Sequence, residues 1–190
     1  MKKLTLGALL ASAIVTCASA GTINGSMAIA VTGTIVGSGG TDLSNFTSLL
    51  NPGYLVTSAM GDYVPVVGFA APASTLNFSN LSTFTMNFGS FGSFIANGVG
   101  SSIVSRNANF SDIFIRGTLT PGAGLAAGLS PSDTGLRFSY TQSGASISGS
   151  LTLNSPAVAP GTVPEPATLA PIGGGLIAFG VVRRRRKVQA

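Results

Sequence analysis

The sequence predicts an all-β fold, an antiparallel β-sandwich or jelly-roll-like domain, on three observations. Apolar residues recur at every second position in several short runs. Gly, Pro, Asn and Asp separate those runs, and helical periodicity is nearly missing from residues 21–162. An antiparallel sheet satisfies this pattern because successive side chains of a strand point to opposite faces, one packed and one wet.

In chain order, Met27, Ile29, Val31 and Ile35 share one parity, with Thr32 and Thr34 on the other. Residues 54–57, 64–69, 75–78 and 101–105 are further strand candidates. Phe84, Met86 and Phe88 alternate with Thr83, Thr85 and Asn87. Ile113, Ile115 and Leu119 alternate with Phe114, Arg116, Thr118 and Thr120, which assigns Phe114 to the wet face. Leu136, Phe138 and Tyr140 alternate with Arg137, Ser139 and Thr141; Ile147, Leu151 and Leu153 alternate with Ser148, Ser150 and Thr152. Between these last two runs, Ser143-Gly144 suits a tight hairpin turn. Asn51-Pro52-Gly53, Pro121-Gly122 and Pro131-Ser132-Asp133 read as breaks, with Asp133 as a turn residue. Residues 41–50 and 122–129 are the two helical candidates, the first capped by Thr41 or Asp42. Phe78, Phe84, Phe88, Phe91 and Phe94 crowd together; the alternation at Phe84 and Phe88 assigns them to the core rather than to an exposed sugar-stacking patch.

Both ends differ in texture from this body. Lys2 and Lys3 precede an apolar run over residues 4–15, and Ala18-Ser19-Ala20 supplies a small-residue cleavage pattern. Together they read as a secretory signal peptide over residues 1–20, with cleavage specified by Ala18 and Ala20 and Gly21 as the mature N-terminus. Cys17 offers a rival lipoprotein reading, but Thr16 stands where a smaller residue is usual. At the other end Pro156, Pro160, Pro164 and Pro166 end the domain. Residues 154–162 read as an extended spacer; continued to Pro166 it spans up to about 40 Å at roughly 3.1 Å per residue.

Residues 163–187 then read V-P-E-P-A-T-L-A-P-I-G-G-G-L-I-A-F-G-V-V-R-R-R-R-K. The uncharged residues 167–182 would make a helix about 24 Å long, short of the roughly 30 Å hydrocarbon core and weakened by four glycines. Arg183, Arg184, Arg185, Arg186 and Lys187 form a membrane stop that stays cytoplasmic by the positive-inside rule. Such a single transmembrane helix suits a transient hold. A Pro-Glu-Pro step, a Gly-rich apolar segment and a terminal Arg run, in that order, resemble the PEP-CTERM sorting domain of bacterial exported proteins. The resemblance covers these 25 residues only. It implies recognition at Pro164, Glu165 and Pro166 by an exosortase, a transpeptidase-like integral-membrane enzyme, and removal of the tail on passage to the cell surface or matrix. Proteins of that kind are often associated with exopolysaccharide.

The net charge of +5 would suggest a nucleic-acid partner, but its placement removes that reading. Seven of the ten cations stand at the two ends, and residues 21–162 carry Arg106, Arg116 and Arg137 against Asp42, Asp62, Asp112 and Asp133, so they sum to −1. Displacing counterions from phosphates needs clustered Lys and Arg. No histidine occurs, and the one cysteine, Cys17, lies in the leader, so Ser-His and Cys-His nucleophile pairs, imidazole metal sites and disulfides are all missing from the expected mature chain. The only glutamate is Glu165. A paired-carboxylate hydrolase would need two of the four scattered aspartates, each read as a capping or turn residue. Residues 37–42 contain a Gly/Asp step like that of calcium-binding repeats, but one carboxylate falls short of the six to eight oxygens such a site takes. No catalytic residue, metal or cofactor is therefore expected.

Ser and Thr make up 37 of residues 21–162, so the polar strand faces are hydroxylated rather than charged. The expectation is a non-enzymatic surface or matrix protein, structural or adhesive in an exopolysaccharide or biofilm setting. Its partners would be signal peptidase, exosortase and, through the C-terminal helix, the membrane. The alternative is a carbohydrate-binding module for exopolysaccharide.

Overall fold

The computed structural model describes residues 20–160, so the signal and sorting segments, with the helices expected for them, lie outside the described residues. The strands in chain order are β1 Gly21–Thr22, β2 Gly25–Val31, β3 Val36–Ser38, β4 Ser48–Gly61, β5 Ala70–Asn77 and β6 Thr85–Asn87. They continue as β7 Gly92–Ala96, β8 Ser102–Arg106, β9 Phe110–Pro121, β10 Leu129–Ser130, β11 Ser132–Ser143 and β12 Ser146–Ser155. β1 and β10 make a two-residue parallel pair, and the other ten strands form one antiparallel sheet. The all-β antiparallel expectation holds, but hydrogen bonding joins these strands into a single sheet rather than the two of a sandwich.

The path across the sheet is β5-β4-β2-β12-β11-β9-β7-β6. β3 continues along the β4 edge that pairs with β2, and β8 along the β9 edge that pairs with β7. The sheet curls around one core until its edge strands, β5 and β6, face each other. Ile29, Leu49, Tyr54, Phe84, Phe94, Ile113, Leu136, Phe138, Tyr140 and Leu153 fill the curl, all at most 2% exposed. Phe138 stacks on Tyr140 at 5.8 Å and meets the Phe84 ring edge-on at 5.1 Å. The phenylalanines assigned to the core lie there, with Phe91 partly buried against Phe69.

Two irregularities accompany the curl. A register shift falls between Ala28 and Ile29, where β2 pairs with β4. On β4 the inward residues change from Leu49 and Asn51 to Tyr54 and Val56, and β5 follows, from Leu76 and Ser74 to Ala71. Pro52-Gly53 sits at this change of parity. The predicted break is thus a bend inside a 14-residue strand. The β11–β12 hairpin closes as expected, through a two-residue loop with φ +58° at Gly144, the glycine-first geometry of a II′ turn. Opposite Tyr140, Gly149 leaves room for the phenol ring, which would lie 2.8 Å from a Cβ there.

Several local expectations are corrected. Residues 64–69 hold a 3-10 turn, Val64–Val66, not a strand; Pro65 suits a helical first turn, and Val66 plugs the core. Residues 41–47 form a turn rather than a helix, because Asn45 Oδ1 accepts from the Thr41 and Asp42 amides and Asp42 Oδ1 from the Ser44 amide. Residues 122–128 are turns as well; three glycines there oppose a helix. Phe114 is buried, not wet: its ring lies over Gly135, with Ala157 alongside, on the outer side of the sheet. Finally, β12 runs through Ser155, two residues into the stretch read as spacer.

Candidate functional site

Of the predicted processing residues, only Ala20 falls within the described residues, where it is exposed. Ala18, Pro164, Glu165, Pro166, Arg183, Arg184, Arg185, Arg186 and Lys187 lie outside them. Among the described residues no helix is long and apolar enough to cross a membrane.

Both ends of the described chain leave the sheet at one end of the curl, because Gly25 pairs with Ser155. The Gly21 amide donates to the Gly128 carbonyl at 2.9 Å, and the Ile23 amide to Ser132 Oγ at 2.7 Å. Ser155 is held by a buried hydroxyl cluster, its Oγ 2.5 Å from both Tyr63 Oη and Thr134 Oγ1. Beyond it, Pro156 and Val158 line a shallow cleft of about 590 Å³ with Met60 and Asp62. Exposed Met60, Val64, Val67 and Val158 lie in the segments around this end.

All seven charged side chains of the described residues have structural partners. Arg137 donates to both Asp112 oxygens, at 3.0 and 2.6 Å, and the carboxylate holds the guanidinium pKa up. Arg116 and Asp133 form a second forked pair at 2.8 Å, with the same upward effect on Arg116. Asp112 and Asp133 are therefore strand residues, not turn residues. Arg106 lies over the Phe78 ring at 3.8 Å and donates to the Leu43 and Phe46 carbonyls; burial lowers its pKa. The Ser44 hydroxyl and amide hold the Asp42 carboxyl down. Asp62 Oδ2 accepts from the Asn24 amide. No group of three or more His, Cys, Asp or Glu side chains placed to hold a metal occurs among the described residues.

The remaining polar concentration lies where the sheet fails to close. Across the seam, Cα atoms of β5 and β6 come within 8 Å of one another, yet the strands do not pair. A cleft of about 310 Å³ opens there, lined by Ser74, Thr75, Thr83, Thr85, Met86 and Asn87, with residues 72 and 73 completing the β5 wall. Ladder alternation fixes which backbone groups face it. The Phe78 amide donates to the Thr47 carbonyl, so residues 76 and 74 turn toward β4 and Thr75 turns away. Likewise Ala96 donates to the Phe84 carbonyl and Phe88 to that of Gly92, so Thr85 and Asn87 turn their N–H and C=O away from β7.

Behind the β5 wall sits a buried polar group. Ser74 Oγ bonds the Tyr54 hydroxyl, and its register partner Asn51 accepts from the Tyr140 hydroxyl at 3.1 Å. Asn51 Nδ2 is buried without a partner. Burial pushes the Tyr54 pKa up to about 12 and raises that of Tyr140 well above its ordinary value.

The seam was missed by sequence reasoning. The alternation places Thr83, Thr85 and Asn87 on the wet parity of one strand, but nothing in it marks β5 and β6 as edges that meet. No protein-family model, curated protein or solved structure matches the chain.

Proposed function

We propose that this is an exported cell-surface or matrix protein, sorted and processed by an exosortase, with a non-enzymatic structural or adhesive role in an exopolysaccharide or biofilm setting. The observation that carries the reading is the ordered C-terminal sequence: Pro164-Glu165-Pro166, a Gly-rich apolar segment that acts as a transient inner-membrane helix, and Arg183 to Lys187. A signal peptide cleaved after Ala20 delivers the body, and the exosortase acts around Pro164–Pro166. The body's chemistry supports a passive role. Its aspartates are engaged with arginines or backbone amides, which leaves no acid and base facing a common cleft, and its three arginines are tied down separately rather than clustered on a phosphate-binding face.

Mass spectrometry of the mature protein from its native host tests this directly. The expected species begins at Gly21 and ends near Pro166. A mature form that retains the Arg183–Lys187 tail would overturn the processing.

The alternative, carbohydrate binding, is favoured by one observation, the uncharged hydroxyl- and amide-lined cleft between β5 and β6. Retention on the host's exopolysaccharide supports it; self-association without such retention supports the structural role.

A further inference from the structure

We infer that the seam between β5 and β6 is a binding site for a neutral sugar unit, whose hydroxyls bridge the two unpaired sheet edges. This deepens the carbohydrate-binding alternative and rests on it. The ligand class follows from what the walls offer. Thr75, Thr85 and Asn87 present main-chain N–H and C=O groups to the cleft, donor and acceptor side by side on each strand. A sugar hydroxyl both donates and accepts, so a single hydroxyl reaching in between the edges can satisfy a group on either side while the ring stays outside the seam. The Thr75 and Thr85 hydroxyls add to the set, and so does the Asn87 side-chain NH2, since its Oδ1 is already taken by the Gly89 amide.

Charge and width narrow the occupant further. No ionisable side chain lines the cleft, so an anionic ligand would find no cation there. An inserted peptide strand would need about 9.6 Å between its neighbours, twice the usual strand spacing, and the Cα atoms across the seam approach more closely than that. With no aromatic platform in the lining, binding is weak for one unit and gains strength only along a repeating polymer.

Amide NMR on the 15N-labelled full chain in detergent micelles tests the site. The probes are isomaltohexaose, cellohexaose and oligosaccharides cut from the host's own exopolysaccharide. The expected result is saturable movement of the Thr75, Thr85 and Asn87 amides. The exposed double substitution Thr75→Val/Thr85→Val, which keeps β-branched side chains in place, should weaken binding about 5- to 10-fold. Saturable shifts confined to another surface, or undiminished affinity in the double variant, would overturn the seam while leaving carbohydrate binding intact. No shift with any of the probes would remove both.

Discussion

All three tyrosines of the chain, Tyr54, Tyr63 and Tyr140, are at most 1% exposed, and there is no tryptophan, so phenolate absorbance reports on the fold alone. Burial raises each phenol pKa: Tyr54 to about 12, Tyr140 well above its ordinary value, and Tyr63 in the same direction. In the unfolded chain these groups ionise near 10. The neutral phenol is therefore the form the folded state prefers, and its contribution is fully present below pH 10. Between pH 10 and 12 the unfolded chain loses protons that the native chain keeps, so stability falls as pH rises. For Tyr54 alone, a pKa of about 12 against about 10 in the unfolded chain corresponds to about 2–3 kcal/mol, against a total of roughly 5–15 kcal/mol for a domain. With three such groups, alkaline unfolding is expected between about pH 10.5 and 12 as one cooperative step. Absorbance at 295 nm and circular dichroism at 215 nm, recorded on one sample, should change together. A gradual phenolate titration centred near pH 10, with the β signal unchanged, would refute the burial of the tyrosines.

The two ion pairs should differ in weight. Arg137→Ala leaves the Asp112 carboxylate, only 8% exposed, without its partner, and should cost about 2–3 kcal/mol in urea unfolding. Arg116→Ala breaks a pair exposed above 40% on both sides and should cost less than about 1 kcal/mol; equal losses would refute the distinction. A third prediction concerns processing. Since β12 ends at Ser155 and Val158 still lines the body, deleting residues 160–163 removes roughly 12 Å of reach and should block cleavage near Pro164, whereas eight added Gly/Ser residues should not. Mass analysis of the secreted and membrane fractions reads both outcomes, and wild-type cleavage of the deletion would refute a short tether.

Strand identity was legible wherever alternation was clean. Leu136, Phe138 and Tyr140 face the core, and Ser143-Gly144 marks the tight turn that joins β11 to β12, with Gly144 as its first loop residue. What escaped was long-range. Phe114 alternates correctly with Ile113 and Ile115, yet it is buried on the outer face, where its ring lies over Gly135, which has no side chain to hold it off, and Ala157 comes beside the same glycine. Asp112 and Asp133 looked like turn residues because turn formers stand nearby; their partners, Arg137 and Arg116, are 25 and 17 positions away and meet them only through the β9–β11 register. Pro52-Gly53 has the composition of a break, but pairing with β5 on both sides carries the strand through it. The seam is the extreme case, since which strands become edges is a property of the whole sheet and of no local window.

The shortage of charge and the abundance of Ser and Thr then have a common physical consequence. Where another domain would hold its ends with ion pairs, this one uses neutral hydroxyls: Tyr63 and Thr134 on Ser155, and Ser132 on the Ile23 amide. Hydroxyl bonds carry no net charge, so added salt has little to screen, in contrast to exposed ion pairs. No described residue is a histidine or a cysteine, the side chains whose ordinary titration falls between about pH 6 and 9. Across that range the side chains of the body keep one charge state. Such insensitivity fits the proposed export to a medium whose salt and acidity the cell does not control.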